Sequence, residues 1–314
     1  MNRFLGRGLW IGAALLTLAG GNLAAQEAEP AQAAASNQID IIHHIGNSHE
    51  IDLEPFTTIH LPRWTPVQIG GLAIDFSPTK HVVFMVLSAL IVAIVFIVSS
   101  SSVARAQAKG QPPKGFGGVM EAMALYIRQE VILPNVGHHG EGYSPFLLTL
   151  FFFILVMNLF GLIPYGATAT GNIAVTAALA LITFIVIEVS GMVTLGAAGY
   201  LKTIFYIPPG LPGGVGGAAL KVVLLVIMTP IEIIGKLAKP FALAVRLFAN
   251  MTAGHVLVLA LIGLTFIFRS YAVGVGASLL ATGIMLLELF VAFLQAFVFT
   301  LLASVFIGLM RAEH

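Results

Sequence analysis

Five apolar runs, at about 81–100, 145–163, 173–198, 220–267 and 273–310, restrict this chain to a set of helices inside a lipid bilayer. Roughly 20 helical residues, rising 1.5 Å each, cross a hydrocarbon core of about 30 Å, and only helices or closed barrels satisfy the backbone there. The first three runs fit single crossings. The last two are too long: a continuous 220–267 helix would extend roughly 70 Å, so both segments must tilt, bend or lie partly along the membrane. Pro230 and Pro240 mark places where the first of them can bend. The expected fold is an all-α polytopic membrane protein of about five segments, the last two long and tilted and folded as an antiparallel hairpin.

Composition agrees. Charged residues make up 9% of the chain, against roughly 25% in a soluble domain. A net charge of +1 offers no basic stripe for nucleic acid. With no cysteine, neither a disulfide nor a thiolate metal site can form.

The N-terminus reads as a signal peptide over residues 1–25: Arg3 and Arg7, then an apolar run from Leu9 to Leu23, then Ala24-Ala25. An uncleaved anchor helix is the alternative. Residues 26–78 form a polar segment, expected to be exported, and 79–314 the membrane domain. His43, His44, His49 and Glu50 lack the second histidine that a zinc helix needs, so no metal or other cofactor is expected. Arg105, Lys109, Lys114 and Arg128 follow the first span, Lys202 and Lys221 the third, and Arg311 the last, with Arg269 alone in a short loop opposite. The positive-inside rule then places the N-terminus outside and the C-terminus in the cytoplasm.

Ionisable side chains within spans are costly and usually face a polar path. Arg246 is the sharpest case, being far from either end of its segment. Its guanidinium cannot release a proton, so it can hold a fixed positive charge and attract a carboxylate; a structural ion pair with Glu232 or Glu288 is the plainer reading. At 100° per residue, Glu232 and Asn250 each lie about 40° from Arg246, while His255 turns to the opposite face. Folding the last two segments about the turn near 269–271 sets residues level when their numbers sum to about 540. Arg246 then faces Gln295, His255 faces Glu288, and Glu232 lies at the far end. His255 titrates near neutrality and suits a proton relay. Glu188 either lines a cavity or makes a structural hydrogen bond, and Asn158 and Asn172 stay open between water path and helix–helix bond. Lys236 and Lys239 are expected as interface charges. The glycines of 213–217 lack a following Lys-Ser/Thr, and no nucleophile elbow is present, so no catalytic site is expected in this chain.

The run Lys239-Pro-Phe-Ala-Leu-Ala-Val-Arg-Leu-Phe-Ala-Asn-Met-Thr-Ala-Gly-His255 resembles the signature of subunit a of the rotary, proton-translocating ATP synthase. Glu288 to Gln295 with the following Ala-Phe-Val-Phe is similar to that family's last helix, as are Ile163-Pro-Tyr and Gly171-Asn-Ile-Ala-Val-Thr to its earlier motifs. The resemblance covers roughly residues 80–314. It implies a stator subunit of the membrane sector, in the bacterial inner membrane, working with a ring of c subunits, the peripheral-stalk b subunits and the rest of the complex to move H+. It implies that Arg246 faces the ring carboxylates, with Asn250 one turn on and Gln295 beside it. His255 and Glu288 match a pair in the entry pathway, Glu232 an exit carboxylate, and Asn172 a polar residue on the periplasmic side. A free-standing transporter with midplane ion pairs would show an internal repeat, and none is evident. A non-conducting scaffold would leave Arg246 unexplained.

Overall fold

The computed structural model describes residues 46–53, 57–69, 72–75, 77–137, 140–163, 168–205, 214–268 and 270–311. The signal-peptide reading and the first twenty residues of the polar segment lie outside these.

Two small antiparallel hairpins precede the first span: β1 (Glu50–Leu53) with β2 (Thr57–His60), and β3 (Val67–Ile69) with β4 (Leu72–Ile74). Glu50 pairs with His60 and Val67 with Ile74. Side-chain and backbone bonds tie this segment to the start of α1 (Lys80–Ala108). His49 Nδ1 meets the Pro78 carbonyl at 3.1 Å, His81 Nδ1 meets Asn47 Oδ1 at 2.8 Å, and the Lys80 N–H donates to Ser48 at 3.0 Å. Ser77 donates from its hydroxyl and its backbone N–H to Asp75, holding that carboxyl below the usual carboxylate range.

After α1 the chain forms α2 (Gly115–Tyr126), a π-helical turn over Ile127–Ile132 and the short α3 (Leu133–Val136). Pro134 explains the wide turn: it has no N–H for the carbonyl of Glu130, and its ring needs room there. This stretch was expected as a loop. It is instead part of the core, with Ile127, Val131, Ile132 and Val136 buried. Their spacing of four to five residues presents one apolar stripe.

Four helices build the bundle: α4 (Ser144–Phe160), α5 (Ile173–Ile204), α6 (Val215–Phe268) and α7 (Tyr271–Arg311). With α1, five helices among the described residues are long and apolar enough to cross a membrane. Three begin and end within a few residues of the apolar runs; α1 and α5 run on beyond the apolar runs at their tails. At 54 residues, α6 is roughly 80 Å long and continues through Pro230 and Pro240. Helix α4 lies at the centre, burying Leu147, Phe151, Ile154 and Met157. Helix α7 packs with an Ala292, Ala296, Thr300, Ala303, Ser304 stripe, small residues that let helix backbones approach closely. Gly308 follows the same logic, because a Cβ there would overlap the Asn135 carbonyl.

Two pairs fix α6 and α7 as an antiparallel hairpin: Gly254 lies against Glu288, and Gly274 against Thr265. Both obey the depth rule read from the sequence to within a residue or two. Helices α5 and α6 are antiparallel as well, with Gly171 beside Thr252 near one end and Glu188 bonded to Lys236 further along. The bundle thus has a turn end, where α6 meets α7, and a tail end, where α7 finishes.

Candidate functional site

The inward stripe of α6 carries Lys236, Leu243, Ala244, Leu247 and Met251, all buried. Their spacings of 3, 4 and 7 keep one helix face against α5 and α7. Arg246 and Asn250 fall outside that stripe and are exposed, as is Glu232 about four to five turns below. Phe241 (70% exposed) and Val245 (37%) flank Arg246, so its guanidinium emerges from an apolar wall of membrane depth. Among the described residues it has no ion-pair partner, which removes the structural pair with Glu232 or Glu288.

Toward the turn end, Gly254 extends the inward stripe, and the Glu288 carboxylate packs where its Cβ would be. Glu288 is only 6% exposed and Gln295 5%. His255 follows Gly254 directly and is half-buried, so the chain brings His255 and Glu288 to one depth, as the hairpin arithmetic expected. Thr252 stands near Gly171 with its buried hydroxyl lacking a partner among the described residues. Asn172 caps α5, its Oδ1 accepting the Ala174 N–H at 2.9 Å. Asn158 proves to be a helix–helix link: it donates to the Ala292 carbonyl at 3.2 Å and accepts from Thr170 at 2.6 Å.

Toward the tail end lies a cavity of about 820 Å³ between α5, α6 and α7. Glu188, Lys202, Glu232, Lys236 and Lys239 line it, among Phe184, Ile231 and Leu309. Lys236 differs from its expected place as an interface charge. Its ammonium is buried and pairs with Glu188 at 3.3 Å, each side chain about a tenth exposed (9% and 11%). Tyr200 donates its hydroxyl to the same Glu188 oxygen, Lys236 reaches Thr203 at 3.4 Å, and its ammonium stands 4.5 Å from the Tyr200 ring centre. Twelve residues of straight helix would hold Tyr200 roughly 18 Å below Glu188. Gly196 closes that gap by leaving helical geometry at φ 71°, ψ 166°, so the last turns of α5 fold back onto the cavity. The sequence named Glu188 and Lys236 separately; nothing in the spacing of two distant segments tied them together. Lys239 keeps its place near the surface, with its ammonium 5.1 Å from the Phe306 ring.

Polar groups therefore gather at both ends of the hairpin, with an unpaired guanidinium exposed between them. The family model described as ATP synthase A chain matches residues 82–308, a span that holds all of these helices but the first two residues of α1 and the last three of α7. The chain belongs to the ATP synthase A chain family. Among its relatives, ATP synthase subunit a of Chloroherpeton thalassium is 45% identical over 278 residues, 88% of this chain and 78% of that protein. ATP synthase subunit a 2 of Chlorobaculum tepidum is 47% identical over 274 residues, 87% of this chain and 73% of that protein. A more distant relative, ATP synthase subunit a of Anaeromyxobacter dehalogenans, is 42% identical over 243 residues. Membership in this family agrees with a multi-pass chain of long apolar helices.

Proposed function

We propose that this chain is the proton-conducting stator subunit in the membrane sector of an ATP synthase of the bacterial inner membrane. It faces a ring of c subunits through the exposed side of α6 and joins the peripheral-stalk b subunits and the rest of the complex. The N-terminus is outside and the tail end cytoplasmic, in keeping with the basic residues after α1, α5 and α7. A proton enters at the turn end by way of Glu288 and His255, near the Asn172 cap, and loads a ring carboxylate. It rides the ring round and leaves through the tail-end cavity past Glu232. Arg246, with Asn250 and Gln295 near its level, holds a passing ring carboxylate ionised and blocks a direct leak between the two paths. A guanidinium suits this because it attracts the carboxylate and cannot relay the proton itself.

The observation that carries the reading is Arg246: a permanent charge, exposed on an apolar face and with no ion-pair partner among the described residues, calls for a carboxylate on a neighbouring chain. The test is ATP-driven acidification of inverted vesicles carrying the whole complex with wild-type or Arg246→Ala chain, assembly being checked in both. Loss of pumping in an assembled mutant is the expected result. Pumping at the wild-type rate would sink the proposal.

A further inference from the structure

The proposed exit path uses Glu232 alone, although the same cavity holds a second carboxylate that is deeper and better connected. Resting on that reading, we propose that Glu188, Lys236 and Glu232 form one proton-holding cluster, in which either carboxylate receives the proton that leaves the ring. Lys236 binds Glu188 at 3.3 Å and follows Glu232 by one helical turn, which brings the two Cβ atoms on α6 to about 5–6 Å. Both carboxylates and the ammonium line the cavity. The other charged groups facing them are Lys202 from α5 and Lys239 from α6, both exposed at its edge. Tyr200 adds a hydroxyl from α5, and α7 presents Phe306, Leu309 and Met310.

One ammonium thus stands in the cavity with two carboxylates, bonded to Glu188 and one helical turn from Glu232. With both ionised, the trio carries one negative charge; one proton on either oxygen pair cancels it. In a partly apolar cavity such charges feel one another strongly, and two coupled acids titrate as a unit. A buried ion pair is weak evidence for stability, since an apolar pair of similar volume often serves as well. A share in proton release gives Glu188 and Lys236 a reason to be charged. The transfer balances simply. A ring carboxylic acid loses its proton and remains as carboxylate near Arg246, a Glu232 or Glu188 oxygen gains it, and cavity water carries it off as hydronium.

The experiment uses the whole complex in inverted vesicles and compares the pumping rates of Glu232→Gln, Glu188→Gln and Glu188→Gln/Glu232→Gln chains. Coupled sites are non-additive, so each single variant is expected to slow pumping about twofold to fivefold and the double variant by roughly 50-fold or more. Glu188→Asp should restore most of the rate. The rate–pH curve should be broad in the wild type, as for two coupled carboxylates, and fall as a single group in either Gln variant. Where Glu188→Gln fails to assemble because Lys236 is stranded, Glu188→Gln/Lys236→Met removes the pair together. That complex should pump more slowly than wild type and lose its remaining rate when Glu232→Gln is added. The cluster is overturned if Glu188→Gln or Glu188→Gln/Lys236→Met pumps like wild type, or if the double Gln variant is no slower than Glu232→Gln. Failure of the broader reading would show separately, as persistent pumping by Arg246→Ala.

Discussion

Gly254 stands on the inward stripe of α6 where a methyl group has nowhere to go, because Glu288 from α7 already fills the space. Gly254→Ala is expected to push the Glu288 side chain aside at an overpacking cost of about 1–3 kcal/mol. Proton pumping should fall while the complex still assembles. Shortening the intruding side chain with Glu288→Asp in the same background should recover part of the rate, and acidification assays on both variants check this. The pairing of His255 and Glu288 in depth was legible before the structure, since helix rise and one turn position suffice to compute it. The role of the glycine between them was not, because a missing side chain signals nothing until its neighbour is known. Asn158 shows the same limit: its type allowed a water path or a helix link, and only the Ala292 carbonyl and the Thr170 hydroxyl decide for the link.

Helix α5 carries the break that matters most at the scale of elements. The φ and ψ of Gly196 fall in a region that only glycine occupies without strain. Gly196→Ala should cost about 1–3 kcal/mol there and swing the last turns of α5 away from the cavity, separating Tyr200 from Glu188. A flexible bifunctional thiol reagent should bridge cysteines placed at 188 and 200 in an otherwise wild-type chain, which has no cysteine of its own, and should bridge them poorly with Gly196→Ala. The five spanning helices were legible from apolar run lengths to within a few residues, save that the tails of α1 and α5 run on past their apolar runs. The helical stretch over 115–136 was taken for a loop because its charges and glycines outweighed a stripe of Ile127, Val131 and Val136 that could have been read. The two β-hairpins were missed for a different reason: strands of three or four residues are too short to show alternation.

At the scale of the molecule, the bundle is lopsided. Only 6% of the most apolar window of α6 is buried, against 44% for α4 and for α7. Such an uncovered wall, with a cation in it, suits the neighbour proposed above, and the sequence conveyed the cation but could not show which way it pointed. Purification of the tagged chain under mild conditions should bring down a ring of small hairpin subunits, and Arg246→Glu should weaken that recovery several-fold by setting like charges against one another. Subunit staining of the purified material reads both results.

The one-sided wall of α6 also bears on the life of the chain before assembly. A newly made copy holds its guanidinium against acyl chains until the partner arrives, an arrangement that membranes tolerate only at a cost of a few kcal/mol. Surplus copies would be conspicuous to the proteases that patrol the bilayer. The arginine proposed to face the ring would then also mark an orphaned copy for disposal, tying the abundance of this chain to that of the proposed partner.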